Sequence, residues 1–122
     1  LFINRMGHVQ LIRGNNKSLG YRRSKPDLSF SNNEWLLEAG DVFYLTSDGF
    51  IDQNGGDRDY PFGRKRFIDT LSGLSGQSLS QQRDGLIAAW QSYMGEEMQR
   101  DDVTVFGFTF WSEGERREKN DE

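Results

Sequence analysis

Apolar positions follow two different rhythms along the chain: short strand-like blocks up to residue 46 and after residue 102, and a helical period between residues 62 and 94. The strongest strand signal is Asp41-Val42-Phe43-Tyr44-Leu45-Thr46, a β-branched and aromatic run opened by Ala39-Gly40 and closed by Asp48-Gly49. Its nearly continuous apolar character predicts burial on both faces. Leu1 to Asn4 and Val9 to Arg13 flank Arg5-Met6-Gly7 and predict a β-hairpin. Gly14 to Tyr21 reads as a glycine-punctuated loop, and Leu28 to Phe30 and Trp35 to Leu37 as short strands around Ser31-Asn32-Asn33.

A polar loop from Asp52 to Asp59 precedes the helical region. Phe62, Phe67, Leu71 and Leu74 recur at near-helical spacing, which predicts a short helix from Arg64 to Leu71. The clearest helix starts at Ser78, with Gln81 as capping-box partner. Leu79, Leu86, Ile87, Trp90, Tyr93 and Met94 keep its period, and Gly95 marks its end. Trp90 and Tyr93 fit this stripe and are expected to pack in the core. Gly85, inside the helix, costs about 1 kcal/mol against Ala and so points to a close packing contact. Val103 to Trp111 reads as a final strand. Residues 112–122 are charged and without apolar side chains, a disordered tail beyond a domain of residues 1–111.

Composition narrows the classes. One domain's worth of sequence, 122 residues, carries nine Phe, four Tyr and three Trp, too many for a disordered chain despite a mean hydropathy of -0.78. No apolar run reaches the roughly 18 residues of a membrane span, so no membrane contact is expected of this segment. The absence of Cys excludes a disulfide framework, thiolate catalysis and Cys-ligated zinc, and fits a reducing, cytoplasmic setting. The chain opens on Leu1 with Phe2 and Ile3 already strand-like, and reads as a piece of a longer protein.

Charge is split along the chain. Residues 1–30 carry a net +5 and residues 31–63 a net -6, while the whole chain is at -4. A pI near 5.0 and the absence of a recognition motif argue against nucleic acid as a partner. Two acidic motifs lie where a strand meets a loop: Asp48 after the strand Asp41 to Thr46, and Asp101-Asp102 before the last strand. If these strands are antiparallel neighbours, the carboxylates converge on one sheet edge. Oxygen-only ligands there favour Mg²⁺ or Mn²⁺ over zinc. Asp-Gly pairs also simply make turns, and spacing alone leaves both readings open.

The segment Leu37-Glu38-Ala39-Gly40-Asp41-Val42-Phe43-Tyr44-Leu45-Thr46-Ser47-Asp48-Gly49-Phe50-Ile51-Asp52-Gln53 resembles the C-terminal half of PPM-type (PP2C-like) serine/threonine phosphatases of the bacterial sporulation stage II E type. A Phe-Gly helix start (Phe62-Gly63), a long amphipathic helix and Asp101-Asp102-Val103-Thr104 follow in that family's order, and Lys17-Ser18-Leu19-Gly20-Tyr21 resembles its upstream loop. The resemblance spans roughly residues 8 to 110. It implies an α+β fold, part of an α-β-β-α sandwich of mainly antiparallel sheets with helices outside. It also implies a two-metal Mg²⁺/Mn²⁺ site with Asp48 and Asp101 as ligands, Asp102 replacing Asp101 if the register is off by one. Gly49 would let the chain turn away from Asp48, and Thr104 would support the loop by hydrogen bonding. No catalytic residue beyond these ligands is assigned. The implied reaction is hydrolysis of phosphoserine or phosphothreonine on a signalling protein, for instance an anti-sigma-factor antagonist, by a metal-bound water.

The family's earlier Asp-Gly motif, which supplies the bridging ligand, has no counterpart here. Gly7-His8 lacks a preceding Asp, and His8 reads as an ordinary exposed side chain. This segment alone is therefore expected to be inactive, and an unfinished sandwich is expected to pair as a homodimer. The competing reading is a non-catalytic interaction module that retains the fold. The Asp52 to Asp59 loop fails as an EF-hand, because Gly56 and Gly63 stand where Asp or Asn and then Glu are needed, and is read as a mobile flap. Arg64-Lys65-Arg66 is read as the polar face of a helix.

Overall fold

The computed structural model describes residues 1–14 and 31–110. Its elements are β1 (Phe2–Arg5), β2 (His8–Leu11), β3 (Val42–Thr46), α1 (Asp48–Ile51), β4 (Asn54–Gly55), β5 (Tyr60–Pro61), α2 (Gly63–Gly73), α3 (Leu79–Met94) and β6 (Val105–Thr109). The fold is α+β, and the sheet is antiparallel throughout in the order β2-β1-β3-β6.

The hairpin closes because Met6 (φ 51°) and Gly7 (φ 92°) both adopt left-handed conformations, the two-residue turn whose twist matches its strands. β3 then pairs with β1, Phe2 opposite Tyr44, and with β6, Phe43 opposite Phe108 and Thr46 opposite Val105. Directly opposed residues share a face. Phe2, Val42, Tyr44 and Val105 therefore point to one side, where they meet Phe50, Phe62, Leu86 and Trp90 around a centre of fully buried Phe67 and Leu71. Trp90 and Tyr93 pack as the periodicity predicts. Burial pushes the Tyr44 phenol up to about 12, and its hydroxyl donates to Gln82 Oε1. On the other face Ile3 and Phe43 are buried, whereas Leu45 and Phe106 are 48% and 59% exposed. The expectation for β3 thus holds at Phe43 and Tyr44 and fails at Leu45.

The helices follow their signals. α3 has the full capping box, Gln81 N–H on Ser78 Oγ and Ser78 N–H on Gln81 Oε1, both 3.1 Å. A Cβ on Gly85 would stand 2.4 Å from Leu74 Cδ2, so α2 and α3 approach there as closely as a missing side chain permits. α2 runs a turn longer than the predicted Arg64 to Leu71, and Arg64, Lys65 and Arg66 are exposed as expected.

Three expectations need correction. Trp35 to Leu37 is no strand: its polar groups are taken by the pair Arg5 and Asp41 rather than by a neighbouring strand, with Trp35 Nε1 donating to Asp41 Oδ2 (3.1 Å) and Arg5 Nη2 to the Leu36 carbonyl (2.7 Å). The last strand begins at Val105 rather than Val103, because Val103 packs into the core and Thr104 pairs with a loop residue instead; it ends at Thr109, and Trp111 lies outside the described residues. The segment 52–59 belongs to a small ribbon, β4 against β5, docked on α3 through Gly56 N–H and the Tyr93 carbonyl at 2.9 Å. Leu28 to Phe30, the loop 15–21 and the tail 112–122 lie outside the described residues. No helix among the described residues is long and apolar enough to cross a membrane.

Candidate functional site

β3 and β6 are adjacent and antiparallel, so the end of one and the start of the other meet at the same edge of the sheet. The ladder continues one step past the last strand pair. Ser47 N–H donates to the Thr104 carbonyl and Thr104 N–H to Ser47 Oγ, both at 2.9 Å. Ser47 Oγ also donates to the Asp102 carbonyl at 3.4 Å. Thr104 supports the loop as expected, through its main chain.

Asp48 begins α1, a four-residue helix that the sequence pattern does not announce. Phe50 anchors it: its ring is buried among Phe62, Phe67 and Trp90, and its carbonyl accepts Trp90 Nε1–H at 3.1 Å. Gly49 matters for a reason other than turning. An added Cβ would lie 2.1 Å from the Asp102 carbonyl oxygen, so only glycine lets the two acidic loops touch.

Asp48, Asp101 and Asp102 are all exposed. Among the described residues the Asp48 and Asp102 carboxylates have no hydrogen-bond partner, and Asp101 uses Oδ1 to accept the Asp102 N–H at 2.8 Å. The structure therefore brings together the two loops named from sequence and leaves the Asp48 and Asp102 carboxylates and one oxygen of Asp101 open among the described residues. In kind these donors suit a hard divalent cation. In number they do not complete a site, since no group of three His, Asp or Glu among the described residues converges to hold an ion. The exposed acids of 52–59 likewise form no such group. His8 is exposed on β2 opposite Arg5, at the other end of the sheet from Asp48.

Two buried polar residues escaped sequence reasoning, Gln53 close behind Asp48 and Asp41 at the far end of β3. Gln53, fully buried, donates through Nε2 to the Met98 (2.9 Å) and Asn54 (3.1 Å) carbonyls and accepts Arg100 N–H at 3.2 Å. A polar residue in a polar loop carries no burial signal. Asp41, at the start of β3, is buried and accepts Arg5 Nε (2.9 Å), Arg5 Nη2 (2.7 Å), Trp35 Nε1 (3.1 Å) and Glu38 N–H (3.0 Å). Those bonds, led by the Arg5 guanidinium, hold its carboxyl well below the usual carboxylate range. A groove of about 640 Å³ between α3 and β6, lined by Tyr44, Phe50, Leu86, Trp90 and Val105, contains no carboxylate and is separate chemistry.

The family model of stage II sporulation protein E matches residues 3–111, a span that includes both acidic loops. Among solved structures, the SiaA-PP2C domain of Pseudomonas aeruginosa is similar, with a TM-score of 0.74 and 37% identity, covering 89% of this chain and 42% of that one. The chain thus spans about two fifths of that structure's length. Among curated proteins none matches significantly. Motif order, sheet topology and these likenesses agree, and the chain belongs to the stage II sporulation protein E family, with a PP2C-like fold.

Proposed function

We propose that this chain is the C-terminal part of the catalytic domain of a Mg²⁺/Mn²⁺-dependent protein serine/threonine phosphatase. Its substrate is a phosphoserine or phosphothreonine on a bacterial cytoplasmic signalling protein, with an anti-sigma-factor antagonist the type of partner that fits the family. The observation that carries this reading is the contact between the two acidic loops through Ser47, Gly49 and the Asp102 carbonyl, beside open carboxylates. A non-catalytic module has no need of that arrangement.

Asp48 and Asp101 are the residues that would hold the cation, which when bound neutralises phosphoryl charge and supplies an activated water near neutral pH. Asp102, whose carbonyl seats Gly49, is left to position the loop. Two carboxylates are too few for a two-metal site, so this segment is inactive by itself and needs further acidic residues of the full protein. The test is hydrolysis of a chromogenic phosphate ester by the full-length protein with Mn²⁺. Asp48→Ala abolishes turnover on this reading, and undiminished activity rejects it.

A further inference from the structure

We propose that Gln53 is a positioning residue that sets where Asp101 stands relative to Asp48, with Ser47 as the second point of the same brace. The inference rests on the metal-dependent reading above and adds to it the residues that fix the geometry of the ligands.

Asp101 lies on an exposed connection from the end of α3 to β6, running from Gly95 to Thr104, with only Val103 partly buried. Such a stretch has little apolar surface to hold it in place. Two hydrogen-bonded clamps hold it instead. On the near side, the buried Gln53 amide grips the backbone at Met98 and Arg100, using donor and acceptor together. On the far side, Ser47 Oγ grips Asp102 and Thr104. Asp101 is suspended between them, and Gln99 Nε2 adds a bond to its carbonyl at 2.9 Å.

Both clamps belong to the segment that carries Asp48. Ser47 immediately precedes it, and Gln53 follows one turn of α1 and Asp52 later. Gln53 is itself fixed, since its carbonyl accepts Phe62 N–H at 2.8 Å and its side chain is 0% exposed. A displacement of Asp101 therefore requires breaking bonds to the very segment that holds its partner ligand. Residues that orient ligands in this way typically change metal affinity by about 10- to 100-fold when lost.

The experiment uses the full-length protein and follows Mn²⁺ binding by electron paramagnetic resonance, alongside kcat at saturating Mn²⁺ and the thermal midpoint. Gln53→Leu keeps size and removes all three side-chain bonds. The expected result is a dissociation constant for Mn²⁺ weakened about tenfold, with kcat at saturating Mn²⁺ within about threefold of the parent. Ser47→Ala is expected to weaken binding less, and Ser47→Thr, which keeps the hydroxyl, to restore it. A folded Gln53→Leu protein with parental Mn²⁺ affinity overturns the proposal. Should Gln53→Leu fail to fold, the Ser47 pair decides: Ala weaker and Thr parental supports the brace, and equal affinity in both rejects it. Asp48→Ala run in parallel separates the two claims, because loss of binding there with none in the brace variants sinks only the brace. Unchanged binding in Asp48→Ala sinks the parent reading.

Discussion

Asp41 and Asp48 stand at the two ends of one strand, seven residues apart, and the chain uses the same side chain for opposite purposes. Asp41 is buried, and its two oxygens accept four hydrogen bonds from Arg5, Trp35 and Glu38. Asp48 is exposed, and its carboxylate accepts none among the described residues. A carboxylate that accepts four hydrogen bonds from the protein is a structural fastener; one held on an anchored helix with its acceptor sites unused is available to a ligand. Asp41 pins the irregular segment before β3 to β1. Asp48 is pinned by others, through Phe50, Gly49 and Ser47, and does no pinning itself.

The comparison breaks most visibly at Asp41. Asp41→Ala leaves the Arg5 guanidinium without its main partner and Trp35 Nε1 and Glu38 N–H without an acceptor. The expected loss is about 3 kcal/mol of stability by urea denaturation. A loss no larger than that of an ordinary surface substitution would show that the four bonds contribute little.

A smaller effect follows from proton linkage. The folded-state affinity of Asp41 for a proton is depressed below the ordinary 3.8. Its contribution is therefore fully present above that value and is lost as pH falls through it toward the lower folded value. Between about pH 5 and about pH 2 the thermal midpoint of the parent protein falls partly for this reason, and Asp41→Asn is expected to flatten that limb. Parallel limbs in the two proteins would remove Asp41 from the account of acid sensitivity.

The least effect on stability is expected at the other end of the strand. Asp48→Ala removes an exposed group without partners and should leave the unfolding free energy within about 0.5 kcal/mol of the parent. A large loss would mean that Asp48 is a fastener too, and the contrast would collapse.

Legibility in the sequence follows the same division. Periodic elements are readable: β3 from its apolar run, α3 from its capping box and stripe, and the hairpin from the turn at Met6-Gly7, whereas the pairing of β3 with β6, which brings the Asp48 loop against the loop of Asp101 and Asp102, enters the sequence reading only as a condition. What periodicity cannot register is a side chain that acts through its polar atoms. Trp35 to Leu37 has the composition of a strand but is captured by Arg5 and Asp41. α1 is too short to show a period, and Phe50, buried among the core aromatics, looks like one apolar residue in a turn. Gln53 is polar and fully buried, a combination that only the positions of Met98 and Arg100 explain. The glycines divide likewise: Gly85 reads as a packing contact from its place in a helix, whereas the contact of Gly49 with Asp102 needs the fold.

The central claim is that the loops bearing Asp48 and Asp101 form one cation-binding edge. The most direct test is a Mn²⁺ titration of the full-length protein followed by electron paramagnetic resonance, comparing the parent with Asp48→Asn, Asp101→Asn and Asp102→Asn. Loss of bound Mn²⁺ in the first two, with Asp102→Asn close to the parent, is the predicted result. Parental binding in both Asp48→Asn and Asp101→Asn would contradict it.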